Sequence, residues 1–245
     1  MFGQSKGRRI LWLGAILAIG LGVSSVPLIQ FYQGFWKQVT TLPQIVRTTE
    51  RQHGGRYVPL SDVSPWVVKA LVATEDRTFY SNFGVSLEGI SRSLLVDLGT
   101  GSFTQGGSTL TQQLVRNTML TPAKHFRRKL SEALLSVEVT LLYNKQEILT
   151  LYLNRVYLGD GAYGVYAASH RYFGLSPRQL SLPQASLLAG LPQAPSALDP
   201  LVHYQAAKHR QWEVLTSMVA DHVISWHRAH EAFGDRLSLV RKQGV

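Results

Sequence analysis

Residues 123–144 read "AKHFRRKLSEALLSVEVTLLYN" and predict a helix of about six turns at 3.6 residues each. On that helix Arg128 and Lys129 stand four and three residues before Glu132, so the three share a face. Taken alone, such a group is an ordinary surface ion pair worth about 0.3–0.5 kcal/mol. Its setting is less ordinary. The window 98–131 holds no acid but carries Arg116, Lys124, Arg127, Arg128 and Lys129, and Glu132 ends it.

Working outward, "SDVSPWVVKALVATED" (61–76) offers Ser64 as an N-cap and Pro65 at the first helical position before an apolar periodic run. "GVSLEGISRSLLVDL" (84–98) predicts another amphipathic helix, and the Gly- and Ser-rich 99–108 a loop. A helix over 108–120, capped by Ser108, follows, and another over 145–158. "GDGAYG" breaks the pattern, "VYAASHRYFG" resumes it, and 181–192 is short and apolar. "PQAPSALDP" reads as an extended loop and 203–222 as a final helix. No run alternates in the manner of a strand over five or more residues, so the fold class is mainly α.

The 245 residues suit one main domain with a terminal appendage, and 45% hydrophobic content supports a sizeable core. There is no cysteine, which excludes disulfides, thiolate metal sites and cysteine nucleophiles. The net charge of +10 suits an anionic partner, a nucleic acid or an acidic membrane surface. The N-terminus decides between these, because no charged residue occurs from Ile10 to Trp36. About 20 apolar residues cross a bilayer, so 10–30 reads as a transmembrane anchor behind a basic cytoplasmic tail, 1–9. A cleaved signal peptide shares this layout but lacks its Ala-x-Ala site here. Residues 31–62 read as a membrane-proximal connection, 63–215 as the main domain and 216–245 as a helical tail. Export through the membrane makes nucleic acid an improbable partner.

Glu75 and Asp76 stand side by side after the apolar run, in a chain with 15 acids against 25 Lys and Arg. With Glu132 they give two separated acidic sites. Between them lie the polar residues Ser108, Thr109, Thr111, Gln112, Gln113 and Asn117. Carboxylates on an α scaffold serve glycosidic chemistry as proton acceptors or donors. Cations at a helix start serve a phosphate leaving group. An exported, anchored enzyme with both could transfer a sugar from a lipid-linked diphosphate. His125 and His170 read as surface or core residues, and no His–acid spacing suggests a metal cage built by the protein alone.

"EDRTFYSNFG", "QGGSTLTQQLVRN", "RRKLSEALLSVE", "KQEILTLYLNRVYLGDGAYGVYAASHRYFG" and "SLLAGLPQAPSALDP" resemble, in order, the five motifs of the peptidoglycan glycosyltransferases, glycosyltransferase family 51. The resemblance runs from Trp66 to Pro200. It implies a lysozyme-like α fold of two lobes, one partly sunk in the membrane, and lipid II as substrate. It implies Glu75 as general base and Glu132 as the second essential acid, assisting the departing diphosphate. Asp76 and Phe79 would support the base. Ser108, Thr109, Gln112, Gln113, Arg116, Asn117, Arg128, Lys129 and Asn154 would bind substrate or its diphosphate, Arg being suited to bidentate phosphate contacts. The resemblance further implies a divalent cation, magnesium or manganese, and membrane lipids and cell-wall synthesis or division proteins as partners. The catalytic domain would lie outside the cytoplasmic membrane. None of the eight lysines has a Ser three positions before it, so the likeness is to the monofunctional members.

The chain departs from the family pattern at Asn82, where a histidine is usual, at Thr150, where a glutamate is usual, and at Leu198, where an aromatic is common. Arg116 replaces a Lys and keeps the charge. Two other readings compete. A lytic transglycosylase or lysozyme-type hydrolase shares the fold and a catalytic Glu, but has no phosphate to hold with this cationic cluster. A non-catalytic membrane scaffold draws support only from the departures.

Overall fold

The computed structural model describes residues 25–86, 107–120 and 125–240, and the side chains of all of these except 25–35 and 125–128. The basic tail, most of the expected anchor 10–30, nearly all of the expected helix 84–98 and loop 99–108, and the side chain of Arg128 lie outside them. Among the described residues there is no strand, only an isolated bridge between Tyr157 and Tyr163. No helix there is long and apolar enough to cross a membrane.

The α-helices are α1 (Ser25–Gln52), α2 (Pro65–Glu75), α3 (Leu110–Met119), α4 (His125–Leu142), α5 (Lys145–Leu153), α6 (Gly164–Phe173), α7 (Leu182–Gly190), α8 (Tyr204–Ala220) and α9 (Trp226–Gly234). Residues 31–52, expected as a connection, are therefore helical. The helix α8 runs through residue 215, so the expected start of a tail at 216 falls inside an element. Two compact units divide the chain, Met1–Leu42 and Pro43–Val245. Of the first, the structure describes the opening part of α1.

In the second unit, α2 starts as its sequence requires: Ser64 Oγ accepts the Trp66 N–H, and Pro65 occupies a position whose N–H has no helical partner. The helix α7 is buried along its whole length and packs against α2 and α8. Its approach to α8 depends on Gly190, where a Cβ would stand 2.7 Å from Arg210 Cγ. A second group of helices sets α3 against α4 and α5. Leu110, Leu114 and Val115 of α3 and Ile148 of α5 are fully buried, which at about 1.5–3 kcal/mol for each large side chain is ample to fix this group.

Glu50, near the end of α1, is 1% exposed, and neither carboxylate oxygen has a hydrogen-bond partner among the described residues. It lies against Gly164, whose φ of +75° and missing Cβ leave it room. Burial pushes the Glu50 carboxyl up from 4.5 to about 7. At low pH the group is neutral in both the folded and the unfolded chain. As pH rises the unfolded chain ionises first, so stability falls between 4.5 and about 7. The loss totals about 3 kcal/mol. Glu50→Gln should therefore gain on wild type by about that amount as pH rises from 4.5 to 8, measured by urea unfolding. A difference that stays constant over this range would show that the Glu50 carboxyl is not held neutral.

Candidate active site

The helix α2 ends on Glu75, and Asp76 is its C-cap, with φ −157° and ψ 76°. This break turns two adjacent carboxylates towards different partners. A helix C-terminus disfavours negative charge, so each acid needs donors from elsewhere in the fold.

Asp76 is buried and faces the start of α3. It accepts the Leu110 N–H at 3.0 Å and the Asn82 amide at 2.9 and 3.2 Å, and Thr78 Oγ1 donates to it at 3.3 Å. Burial raises the Asp76 carboxyl above its ordinary range, opposed by these donors and by the charge of Lys145. Lys145, the first residue of α5, donates to the Asn82 backbone oxygen at 2.7 Å and to its Oδ1 at 3.1 Å. It also lies over the Phe79 ring at 4.8 Å. Asn82 thus joins Asp76 to Lys145 where the sequence pattern led one to expect a histidine.

Glu75 faces the other way. Its Oε2 accepts Gln113 Nε2 at 2.8 Å, and its Oε1 pairs with Arg210 Nη2 at 3.3 Å. Both side chains of the ion pair are largely withdrawn from solvent, at 15% and 13% exposure. Arg210 comes from α8, laid across α7 at Gly190, whose backbone oxygen accepts its Nε at 3.3 Å. Its Nη1 pairs with Glu213 at 2.7 Å. Gln113 comes from α3, and its Oε1 accepts the Tyr152 hydroxyl of α5 at 3.0 Å.

Glu132 is 1% exposed beneath two cations that reach solvent. Lys129 Nζ stands 2.9 Å from Oε1 and Arg116 Nη1 3.9 Å from Oε2, with Lys and Arg side chains 56% and 38% exposed. Lys129 also donates to Ser108 Oγ at 3.0 Å. Ser108, Arg116, Lys129 and Glu132 therefore form one cluster, its acid buried and its cations outward. Such cations keep donors for an anion arriving from solvent. Asn117, next to Arg116, is half-buried.

Four of the expected substrate contacts make hydrogen bonds within the fold. Asn154 is buried; its Oδ1 accepts the Val58 N–H, and its Nδ2 donates to the backbone oxygens of Val58 and Thr150. Both amide hydrogens and the oxygen of that side chain are thus engaged with the backbone. Thr109 and Gln112 are buried in a capping box, in which each side chain serves the backbone N–H of the other. Thr109, not Ser108, is thus the cap of α3. Gln113 is spent on Glu75 and Tyr152.

Sequence reasoning missed Arg210 and Tyr152. Arg210 stands 135 residues from Glu75 in a segment read only as a final helix, and no local signal singles it out. Among the described residues no group of three His, Asp or Glu could hold a metal. The oxygens of Glu132 already face Lys129 and Arg116, so these residues do not fit a divalent ion by themselves.

A family model described as transglycosylase matches residues 42–219. Penicillin-binding protein 1A of Aquifex aeolicus is 41% identical over 186 residues, 76% of this chain and 26% of that protein. The protein of the same name from Haemophilus influenzae is 45% identical over 69% of this chain and 20% of its own. Penicillin-binding protein 2D of Bacillus subtilis is 37% identical over 94% of this chain and 35% of its own. The chain thus spans no more than about a third of these relatives. A crystal structure of penicillin-binding protein 1A from Haemophilus influenzae aligns over 77% of this chain and 19% of its own at 26% identity, with a TM-score of 0.46.

The pairing of Glu75 with Arg210 can be tested by a double-mutant cycle in urea. Arg210→Met leaves a largely buried carboxylate without its cation and should cost about 3 kcal/mol, and adding Glu75→Gln should restore about 1–3 kcal/mol relative to additivity. Additive losses would show that the two do not interact.

Proposed function

The chain belongs to the transglycosylase family, and we propose that it is a peptidoglycan glycosyltransferase that polymerises lipid II into β-1,4 glycan. The observation that carries this reading is the difference between two acids, Glu75 largely and Glu132 almost wholly withdrawn from solvent. Glu75 is held by one amide and one guanidinium, with neither oxygen closed off by a cage of donors. Glu132 lies under an outward-facing pair of cations. The first arrangement suits taking a proton from a hydroxyl, and the second suits holding an anionic leaving group.

In the proposed reaction, Glu75 takes the proton of the acceptor 4-hydroxyl as that oxygen attacks C1 of the growing chain. The bond from C1 to the diphosphate oxygen breaks, and the new glycosidic bond forms with inversion from α to β. The electron pair leaves on undecaprenyl diphosphate, whose oxygens meet Arg116 and Lys129, with Arg128, Ser108 and Asn117 as further contacts. Glu132 keeps the two cations in place and limits their net charge, so that the product can depart. Asp76 holds the first residue of α3 against the end of α2, which keeps Gln113 in register with Glu75.

We further propose the lysozyme-like arrangement of two lobes, and an anchor over 10–30 that holds the catalytic domain on the outer face of the cytoplasmic membrane. The uncharged run from Ile10 to Trp36 and the net charge of +10 support this placement beside a lipid-linked anionic substrate.

Labelled lipid II given to the detergent-purified protein should yield long β-linked glycan. Glu75→Gln and Glu132→Gln should each lower the rate by at least about a hundredfold while remaining folded. Polymer formation by Glu75→Gln at the wild-type rate would remove Glu75 as the base.

A further inference from the structure

A carboxylate accepts hydrogen bonds and cannot donate them, so the Gln113 amide must turn its Nε2 towards Glu75. That choice puts Oε1 on the opposite side, where it accepts from Tyr152 at 3.0 Å. Three helices are joined in one line: Tyr152 of α5, Gln113 of α3 and Glu75 of α2. Tyr152 is 1% exposed, so water does not compete for its hydroxyl. Burial, with the charge of Glu75 adding to it, raises that hydroxyl well above its ordinary range, so it remains a donor at every working pH.

We propose that Tyr152 is a positioning residue for the general base: its hydroxyl fixes the orientation of the Gln113 amide, which in turn presents a donor to Glu75. This deepens the reading of the chain as a glycosyltransferase and rests on it for its kinetic consequence. Tyr152 touches no substrate in this scheme. Without the hydroxyl, only the ionised carboxylate holds the Gln113 amide, and a half-turn that sets its oxygen against a protonated Glu75 is no longer opposed from the other side. The proton-accepting form of Glu75 is then disfavoured relative to the protonated form, which can donate to that oxygen. The other charges facing this line are Arg210, paired to Glu75 from α8, and Arg116 of α3, which acts on Tyr152 against the effect of Glu75. Neither is altered by removing a neutral hydroxyl.

The test is Tyr152→Phe, which keeps the ring and its packing. The acidic limb of its pH–activity profile should move to higher pH. The loss of lipid II polymerisation relative to wild type should then grow as pH falls and vanish at alkaline pH, with KM within about twofold. A second readout needs no activity. The side-chain amide signals of Gln113, assigned by their loss in Gln113→Met, should move to positions of a weaker hydrogen bond in Tyr152→Phe. A fall in rate that is equal at all pH values, or unchanged Gln113 signals, would overturn the proposal. If wild type itself forms no polymer, the glycosyltransferase reading fails, and the Gln113 signals alone decide whether Tyr152 orients the amide.

Discussion

A carboxylate withdrawn from water must be compensated where it stands, and much of the second unit is arranged to meet that demand at the end of α2. Two adjacent acids at a helix C-terminus repel each other and oppose the helix dipole. The chain separates them at Asp76, so that one looks to α3 and the other to α3 and α8 together. Helix packing is then constrained to a few ångströms. The Leu110 N–H must meet Asp76, the Gln113 amide must meet Glu75, and Gly190 must lack a side chain for Arg210 to lie across α7. A shift of α3 by one residue would break both carboxylate contacts at once.

Four acids shielded from solvent to different degrees show how differently one fold can treat the same group. Asp76 is surrounded by neutral donors and fixes local structure. Glu75 has one amide and one cation, Glu132 has two cations open to solvent, and Glu50 has no hydrogen-bond partner among the described residues and rises towards neutrality. The chemistry assigned to Glu75 and Glu132 follows from this contrast: one acid has room to accept a proton, while the other organises cations.

The sequence made the helices legible because their signals are local. Ser64 and Pro65 mark the start of α2, and the period of 123–144 gives α4. The acids stand out in the sequence for a different reason: they are scarce, and their motifs are ordered. What could not be read was which polar groups the fold consumes for itself. Asn154 lies in a motif that resembles a substrate-binding segment, yet it latches the backbone of Val58, 96 residues away. Arg210 looks like any helical cation until α7 and α8 pack. Tyr152 reads as one more apolar residue of α5, and only tertiary structure puts its hydroxyl against Gln113. Asn82 reads as a weakened histidine position, yet it bonds Asp76 and Lys145 together.

The proposed mechanism divides the labour, with Glu75 serving proton transfer and the Lys129–Arg116 pair holding the diphosphate. Calorimetric titration with undecaprenyl diphosphate, a ligand with no acceptor hydroxyl, tests it most directly. Lys129→Met should weaken binding at least tenfold, about 1.4 kcal/mol, while Glu75→Gln stays within about twofold of wild type. Equal weakening by both, or wild-type affinity in Lys129→Met, would contradict it.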